Sequence, residues 1–313
     1  MRMRTWALAT GLALVVAAGC SRHKQEAVNL SNEADGFVQQ DPGSAIAKYE
    51  QATKLDPNNH RIFDKLAKAH EKKEEWVKCA QAARRAADLR NANADYWFMQ
   101  GHCLYEIARK SKKKEDYEKA IKPLAETVKQ DDNYDYAYYL LAQSYKWTDD
   151  EQKSLQHFKK AIERRPSRVD YYPPWAKLLM DNLYWAEAEQ VLKAAKEAPQ
   201  AAKEAQADTL LTPEKRRNAV FNTHTLLASV YTEKNDVDAE VAELESAKAL
   251  GFAKNPEILF NLGMAYAKLN RNAQACPMLK KFNKRACHAK KAQKLYASQC
   301  AQTLSQIGSL KCK

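Results

Sequence analysis

The residues of this chain best able to do chemistry are its seven cysteines and seven histidines. Thiols can be acylated, form disulfides, bind metals or act as nucleophiles, and imidazoles serve as bases or metal ligands. Familiar catalytic spacings are missing: the sequence has no glycine-rich phosphate loop, no His-Glu-x-x-His and no Gly-x-Ser-x-Gly. We therefore predict that the protein is not an enzyme and that it holds no metal or cofactor.

Cys20 follows an N-terminal stretch with the composition of an export signal. Arg2 and Arg4 come first, residues 5–18 are apolar, and small side chains precede the cysteine. A positive start, an apolar middle of about 7–15 residues and a small-residue cleavage site are typical of a signal peptide, and the stretch is too short for a membrane span. We predict that the protein is exported and that residues 1–19 are removed.

The residues that end at Cys20 resemble the processing box of bacterial lipoproteins. The resemblance rests on the small residues 17–19 and on the cysteine itself. It implies acylation of Cys20, with palmitate or a similar chain, and a membrane anchor with a short tether over residues 20–25. Ser21, in place of Asp, favours the outer membrane, with the protein facing the periplasm. An ordinary signal peptide followed by a coincidental cysteine is the alternative.

Beyond residue 25 the chain repeats with a period of about 34 residues. Frames that start at residues 26, 60, 94, 135, 169, 221 and 256 align small residues in two columns. The eighth position of the frames reads Glu33, Ala67, Gly101, Ala142, Ala176, Ala228 and Gly263. The twentieth position reads Ala45, Cys79, Ala120, Ser154, Ala188, Glu240 and Ala275. Small side chains at fixed positions allow two antiparallel helices to approach closely, so each frame predicts a helix pair.

Two further columns carry the residues that fill the core. The twenty-fourth position reads Tyr49, Ala83, Leu124, Phe158, Leu192, Leu244 and Leu279, and the twenty-seventh reads Ala52, Ala86, Thr127, Ala161, Ala195, Ala247 and Phe282. Leu is frequent at position seven and Tyr at position eleven. These columns resemble the tetratricopeptide repeat family over residues 26 to about 289. The resemblance implies an all-α fold, a right-handed superhelical solenoid of about seven helix pairs with a C-terminal capping helix.

Departures from the period suggest a domain organisation. Residues 26–202 form the first five repeats and residues 221–289 the last two; residues 203–220 are an insertion, which we expect to bend the array into two sections. Thr212-Pro213 within it is a helix start. The third repeat has seven extra residues around positions 109–116, predicted as a lengthened, solvated turn. Residues 290–313 form a basic capping helix and tail.

A binding groove is implied by the same resemblance. In the family, positions two, five, nine, twelve and thirteen of the first helices line a concave surface. In the middle repeats these positions predict a groove formed by Phe98, His102, Tyr105, Tyr136, Tyr139, Lys146, Trp147 and Met180. Aromatic side chains dominate protein interfaces, so the expected ligand is an extended peptide or a helix of a partner protein. The alternative is that some of these rings only pack between neighbouring helices.

Positive charge is concentrated at the C-terminal end. Residues 256–313 contain eleven Lys or Arg and one acid, Glu257, while the whole chain carries a net charge of +12. The predicted basic patch consists of Lys280, Lys281, Lys284, Arg285, Lys290, Lys291 and Lys294. Such a patch attracts phosphates and acidic surfaces. For an exported protein we expect anionic lipid or polymer, or an acidic partner, and no nucleic acid; a solvated face that only aids solubility is the alternative.

Six cysteines other than Cys20 are expected in an oxidising compartment, where they can form three disulfides. Cys79 and Cys103 lie on consecutive predicted helices at similar distances from the turn, so this pair is preferred. Cys276 has two candidate partners, Cys300 and Cys312.

Two alternatives to disulfide pairing are open for the cysteines. Cys287 has no obvious partner, and a metal site of Cys287, His288 and Cys300 matches no zinc spacing. Cys79 occupies a small-residue column, so a plain buried thiol is the alternative there.

These features together predict a non-enzymatic scaffold. In architecture the chain resembles the pilotin-type tetratricopeptide lipoproteins of the outer membrane, which implies binding of an envelope protein in the groove. An adaptor that binds an anionic envelope polymer or lipid head groups through its basic end is the second hypothesis.

Overall fold

The computed structural model describes residues 22–204, 211–252, 255–288 and 294–312, which form helices and no β-strand. The predicted all-α class is confirmed. The predicted signal peptide and Cys20 lie outside the described residues. The chain divides into two compact units, unit 1 (Met1–Arg164) and unit 2 (Arg165–Lys313).

Unit 1 is built from helices that pack in sequence order. They are α1 (22–35), α2 (Pro42–Leu55), α3 (His60–Lys72), α4 (Trp76–Leu89), α5 (Ala94–Ser111), α6 (Lys114–Gln130), α7 (Asp135–Trp147) and α8 (Glu151–Arg164). From α2 onward each helix contacts the next, and α5 also contacts α3 and α7. The first helices of successive frames therefore lie side by side.

Unit 2 continues the same arrangement. A 3₁₀ turn, Val169–Tyr171, leads into its helices, which are α9 (Tyr172–Asp181), α10 (Trp185–Glu204), α11 (Pro213–Glu233), α12 (Val237–Ala247), α13 (Pro256–Lys268), α14 (Asn272–Phe282) and α15 (Ala297–Ser309). Helices α12 and α14 each end in a π-helical turn, Lys248–Phe252 and Asn283–Cys287.

Polar caps and prolines begin several of these helices. The side chain of Asn93 accepts hydrogen bonds from two backbone N–H groups at the start of α5. Thr212 Oγ1 accepts one from the Lys215 N–H at 3.3 Å, and Pro213 occupies the first turn of α11. A side-chain acceptor satisfies an N–H that has no partner within the helix, and proline does not need one there. The helix start at Thr212-Pro213 is as predicted.

The turn between the two helices of a frame contains a residue in the left-handed region. In five frames this left-handed residue is at position fifteen, with φ between 55° and 63°. These residues are Glu74, Asp149, Leu183, Asn235 and Asn270. In the longer third frame the left-handed residue at this turn is Lys112, with φ of 56°. One left-handed residue stops the first helix and reverses the chain. The period thus reappears in the backbone, although no glycine marks it in the sequence.

The small-residue columns are the places where paired helices touch. Every residue of the twentieth column is buried, as is every residue of the eighth column after Glu33. A Cβ built on Gly101 would lie 2.6 Å from Leu124 Cγ, and one built on Gly263 would lie equally close to Leu279 Cγ. In the fourth frame the Ser154 hydroxyl donates to the carbonyl oxygen of Ala142 at 2.8 Å. The backbones therefore approach as closely as the columns predict.

The first frame follows the pattern with a shift of one residue. Ala27, Ser31 and Ala34 are the buried positions of α1, while Glu33 is exposed and pairs with Lys48 at 2.7 Å. The helix already begins at residue 22, so residues 22–25 of the predicted tether are its first turn.

The seven extra residues of the third frame do not form a long turn. Helices α5 and α6 have 18 and 17 residues, and only Lys112 and Lys113 separate them. The prediction of a lengthened, solvated turn is therefore wrong. The extra residues continue both helices because Lys, Glu and Ala are good helix formers and no proline interrupts them there.

The predicted insertion is also largely helical. Helix α10 runs to Glu204 and α11 starts at Pro213, so most of residues 203–220 extends these two helices; residues 205–210 lie outside the described part. The boundary between the compact units falls at Arg164–Arg165, at the end of α8 within the fourth frame, and not at this insertion.

We predict that Gly101→Ala destabilises the protein by about 1–3 kcal/mol, since its methyl group would overlap Leu124 in a packed core. Gly308→Ala is the matched control, because a Cβ there meets nothing within 4 Å. This control should be neutral or stabilising by up to about 1 kcal/mol, through helix propensity. Urea unfolding followed by circular dichroism measures both. Equal stability of the two variants would contradict close helix contact at the eighth column.

Candidate partner-binding face

Unit 1 brings four of the predicted groove residues together. Phe98 and His102 lie four residues apart on α5, and Tyr136 and Tyr139 lie three apart on α7, so each pair projects from one side of its helix. All four side chains are half-buried. We call these four residues the aromatic face.

The rings of the aromatic face form a continuous series. The Phe98 ring stacks on His102 with centroids 5.7 Å apart and planes 3° apart. Tyr136 lies 5.9 Å from Phe98 and 6.0 Å from His102, and Tyr139 lies 6.0 Å further on. Offset and tilted contacts at these separations are favourable. The rings therefore support one another and still present edges and faces to the surface.

Charged groups border the aromatic face. His102 Nδ1 lies 3.1 Å from Glu71 Oε1 on α3, which is within ion-pair distance. Tyr134 stacks on Phe98 at 4.6 Å, and its hydroxyl donates to Asp95 at 3.3 Å. Burial, and then the neighbouring Asp95 carboxylate, raises the pKa of Tyr134, so this phenol stays neutral and hydrogen-bonding.

Two other predicted groove residues are core residues instead. Tyr105 is 8 % exposed and packs edge-on against Tyr117 at 5.8 Å. Burial raises the pKa of its phenol. Met180, on α9 of unit 2, is 7 % exposed. For these two the prediction of an exposed groove position is wrong, because both side chains turn into the packing between helices.

Lys146 and Trp147 lie at the end of α7. Trp147 is 43 % exposed, and its ring stacks on Tyr117 at 5.1 Å; Lys146 is half-buried. Trp147 is eight residues beyond Tyr139, about 12 Å along the helix. The exposed indole therefore adds an aromatic side chain at the end of α7, about 80° around the helix from Tyr139.

Two rings of this cluster were not predicted from the sequence. Trp76 lies edge-on to His102 at 6.1 Å, and Tyr134 precedes α7. Neither residue occupies a groove position of a first helix. Their aromatic side chains were the only feature of the sequence that could have identified Trp76 and Tyr134.

Unit 2 contains a cleft at the corresponding positions. Its volume is about 340 Å³. The residues that line it from α11, α13 and α15 include Ser229, Thr232, Phe260, Met264, Lys268 and Gln302. Most of these occupy positions five, nine, twelve and thirteen of their frames. The groove predicted from the sequence was limited to the middle repeats and did not include this cleft.

Two acids of α12 are held by neighbouring cations. Glu240, which interrupts the small-residue column, is buried in the floor of the cleft, 3.4 Å from Lys268 Nζ. Glu243 lies 2.7 Å from Lys196 Nζ and 2.6 Å from His224 Nδ1. Burial alone raises the pKa of Glu243, but the hydrogen bonds from His224 and Lys196 outweigh it and lower that pKa. Both acids link adjacent helices of unit 2.

The basic patch is exposed wherever it is described. Lys280, Lys281, Lys284, Arg285 and Lys294 are exposed, while Lys290 and Lys291 lie outside the described residues. Lys280 and Lys281 lie in the last turn of α14, Lys284 and Arg285 lie in its π-helical turn, and Lys294 precedes α15.

Six cysteines are joined in three disulfides. Cys79 is bonded to Cys103, across α4 and α5. Cys276 is bonded to Cys312, not to the other candidate Cys300.

Cys287, for which the sequence offered no partner, is bonded to Cys300. The metal site considered above consists of Cys287, His288 and Cys300. Its two cysteines are bonded to each other in this disulfide. Among the described residues no three His, Cys, Asp or Glu side chains are grouped to hold a metal ion. No helix in the described ranges is long and apolar enough to cross a membrane.

Comparison with known proteins agrees with the fold. Family models described as tetratricopeptide repeat match residues 135–168 and 257–286, which are the fourth and seventh frames. A comparison with curated protein sequences found no match.

Several solved structures are similar in fold. The structure of Pseudomonas aeruginosa PilF is 18 % identical, with 73 % of this chain and 93 % of that chain covered and a TM-score of 0.51. A tetratricopeptide repeat protein from Parabacteroides merdae is 14 % identical, with 90 % and 99 % covered and a TM-score of 0.52. MamA from Desulfovibrio magneticus is 16 % identical, with 56 % and 96 % covered and a TM-score of 0.50.

The packed helix pairs, with their recurring turn and small-residue columns, define a helical-repeat protein. The two matched segments show that the chain contains tetratricopeptide repeats. The number of repeats and the superhelical twist stay predictions.

We predict that Tyr105→Ala and Tyr139→Ala differ sharply in stability. Tyr105 is a core residue, so its loss should lower the free energy of unfolding by about 3–5 kcal/mol. Tyr139 is half-buried, so its loss should cost about 1–2 kcal/mol. Urea unfolding measures both. Equal costs would mean that Tyr139 is also a core residue and that the aromatic face is only internal packing.

Proposed function

We propose that the protein is a non-enzymatic, membrane-anchored scaffold that binds a partner protein and assists assembly or stability of a cell-envelope complex, as pilotins do. The aromatic face is the proposed binding surface. The single observation that carries this proposal is the continuous series of half-buried rings across α5 and α7.

The aromatic face has the properties of an interface hot spot. Large flat rings bury much area at a small cost in side-chain entropy, and rings already held by stacking lose little more on binding. The Glu71 carboxylate, 3.1 Å from His102 at the border of the face, can select a polar partner group. An apolar peptide or helix with flanking polar residues fits this surface best.

We further propose that Cys20 anchors this scaffold in the outer membrane, facing the periplasm. The three disulfides accord with an exported protein, since disulfides persist mainly in oxidising compartments. Only Ser21 lies between Cys20 and the described start of α1, so the scaffold stays near the membrane. Such tethering raises the local concentration of a bound partner at the membrane. The fold similarity to PilF concerns the fold alone, and the pilotin-like role rests on this architecture.

The second candidate function is an adaptor for an anionic lipid or polymer. The observation that favours it is the exposure of Lys280, Lys281, Lys284 and Arg285 at the end of unit 2. Several exposed cations within a short segment attract phosphate groups additively, and salt weakens that attraction.

We predict that Cys20→Ala abolishes acyl labelling and moves the protein from the membrane fraction to the soluble fraction. The sulfur of Cys20 is the proposed site of lipid attachment, and stable anchoring needs more than one acyl chain. Labelling with an alkyne fatty acid and fractionation of cells measure this. A Cys20→Ala protein that keeps its label and its membrane location would contradict the proposed anchor. That result would say nothing against the proposed binding surface.

We predict that Tyr139→Ala with Trp147→Ala reduces partner capture in intact cells at least tenfold. Crosslinking followed by mass spectrometry measures the captured proteins. Tyr184→Ala is the matched control, since Tyr184 is 49 % exposed and lies on unit 2; it should leave capture unchanged.

The same experiment separates the two candidate functions. Lys280→Glu with Lys281→Glu and Lys284→Glu should leave capture intact if the aromatic face binds the partner. Loss of capture in this variant, with full capture by the aromatic variant, would favour the basic end and reject the aromatic face.

A further inference from the structure

A second surface of unit 1 lies on the other side of α5. Helices α4 and α6 both pack against α5 and leave a groove of about 710 Å³ between them. Gln100, Leu104 and Ile107 of α5 line it. Gln100 is two residues from Phe98, about 200° around the helix. The groove is therefore separate from the aromatic face, and we call it the outer groove.

The outer groove arises from two departures in the third frame. Position seven is Gln100, whereas the second, fourth, sixth and seventh frames have leucine there. The seven extra residues also lengthen α5 and α6, which adds Ile107 and Glu115 to the groove. A polar residue at a core column and two extra helical turns leave this space unfilled by the chain itself.

Two observations indicate that the outer groove binds a ligand. The Oε1 atom of Gln100 is buried and accepts no hydrogen bond from the described residues. A buried acceptor without a donor is costly, so the packing of the chain alone is incomplete at this position. At the other end, Val77 of α4 lines the groove and is 58 % exposed.

Charge is distributed unevenly along the groove. The Cys79–Cys103 disulfide and the contact of Gly101 with Leu124 fix the register of α4 and α6 on α5. Glu115 and Glu118 thus lie at the end near Val77 and Ile107. Further along the groove toward Gln100 the lining residues include Arg84 of α4 and Lys122 of α6, while Lys119, next to Glu118, is paired with Asp116 at 2.7 Å.

The length of the groove favours a helical ligand. Val77 and Arg84 are seven residues apart, about 10 Å along α4. Over that distance a helix presents three side chains on one face, at i, i+3 or i+4, and i+7. An extended strand presents two, because alternate residues point away.

We propose that the outer groove binds an amphipathic helix of a partner protein. Three apolar side chains of that helix pack on Val77, Leu104 and Ile107. A Lys or Arg at one end faces Glu115 and Glu118, and an Asp or Glu at the other end faces Arg84 and Lys122. This surface is additional to the aromatic face, so either can fail without the other.

The probe is a fluorescently labelled, hydrocarbon-stapled helical peptide of about 16 residues, longer than the groove. It carries leucines at i, i+4 and i+7, with lysine beside the first and glutamate beside the last. A peptide of the same composition with the leucines spread around the helix is the control. Fluorescence anisotropy with the full mature protein should show binding of the first peptide and at least tenfold weaker binding of the second.

Matched protein variants locate the site. Val77→Glu should weaken binding about tenfold, because it places a charge in an apolar contact. Val28→Glu, at another exposed valine of unit 1, should not. Glu118→Lys should weaken binding several-fold at low salt, whereas Glu151→Lys should have no effect. Circular dichroism and urea unfolding establish that the exposed-site variants remain folded.

Three results would overturn the proposal. The first is equal binding of the two peptides, and the second is equal loss of binding in Val77→Glu and Val28→Glu. The third is a dimer of the protein alone, detected by sedimentation and abolished by Val77→Glu, which would make a second copy of the chain the occupant. None of these results bears on the aromatic face.

Discussion

Close contact between paired helices at small side chains is the constraint on which the rest of this structure depends. Gly101 lies against Leu124 and Gly263 against Leu279, with no room for a methyl group. This contact fixes the spacing and register of the two helices in a frame. The large residues of the twenty-fourth column therefore occupy equivalent positions between the helices in each frame, and all of them are buried. Local spacing is thus converted into a repeated core.

The same constraint explains where surfaces become available for binding. Residues on a first helix that do not face the small-residue column point either toward the neighbouring first helix or away from the pair. Phe98 and His102 meet rings of α7 on one side of α5, while Gln100 and Leu104 line the outer groove on the other. Helix α5 therefore contributes to both surfaces, and its extra residues lengthen the outer groove without disturbing the ring contacts.

Covalent and ionic links reinforce the helix pairs where the pattern is weakest. Cys79 occupies a small-residue position and is bonded to Cys103, which ties the second frame to the third. Glu240 breaks the same column, and Lys268 of α13 compensates its buried charge. At the C-terminal end, two disulfides hold α15 and the last residues on α14 and its turn. A short final helix gains stability from such links because it buries little area of its own.

Periodicity along the sequence specifies the helix pairs, the frames and the core columns, because small and large side chains recur at a fixed period and proline or polar caps begin the helices. It also placed Phe98, His102, Tyr136 and Tyr139 on one side of their helices. Tertiary structure alone decided that Tyr105 and Met180 turn inward, that Cys287 meets Cys300, and that Gln100 opens onto a groove. Periodicity gives the direction of a side chain around its own helix. Whether that direction meets solvent, a neighbouring helix or another thiol depends on distances between segments far apart in the chain, which no local pattern specifies.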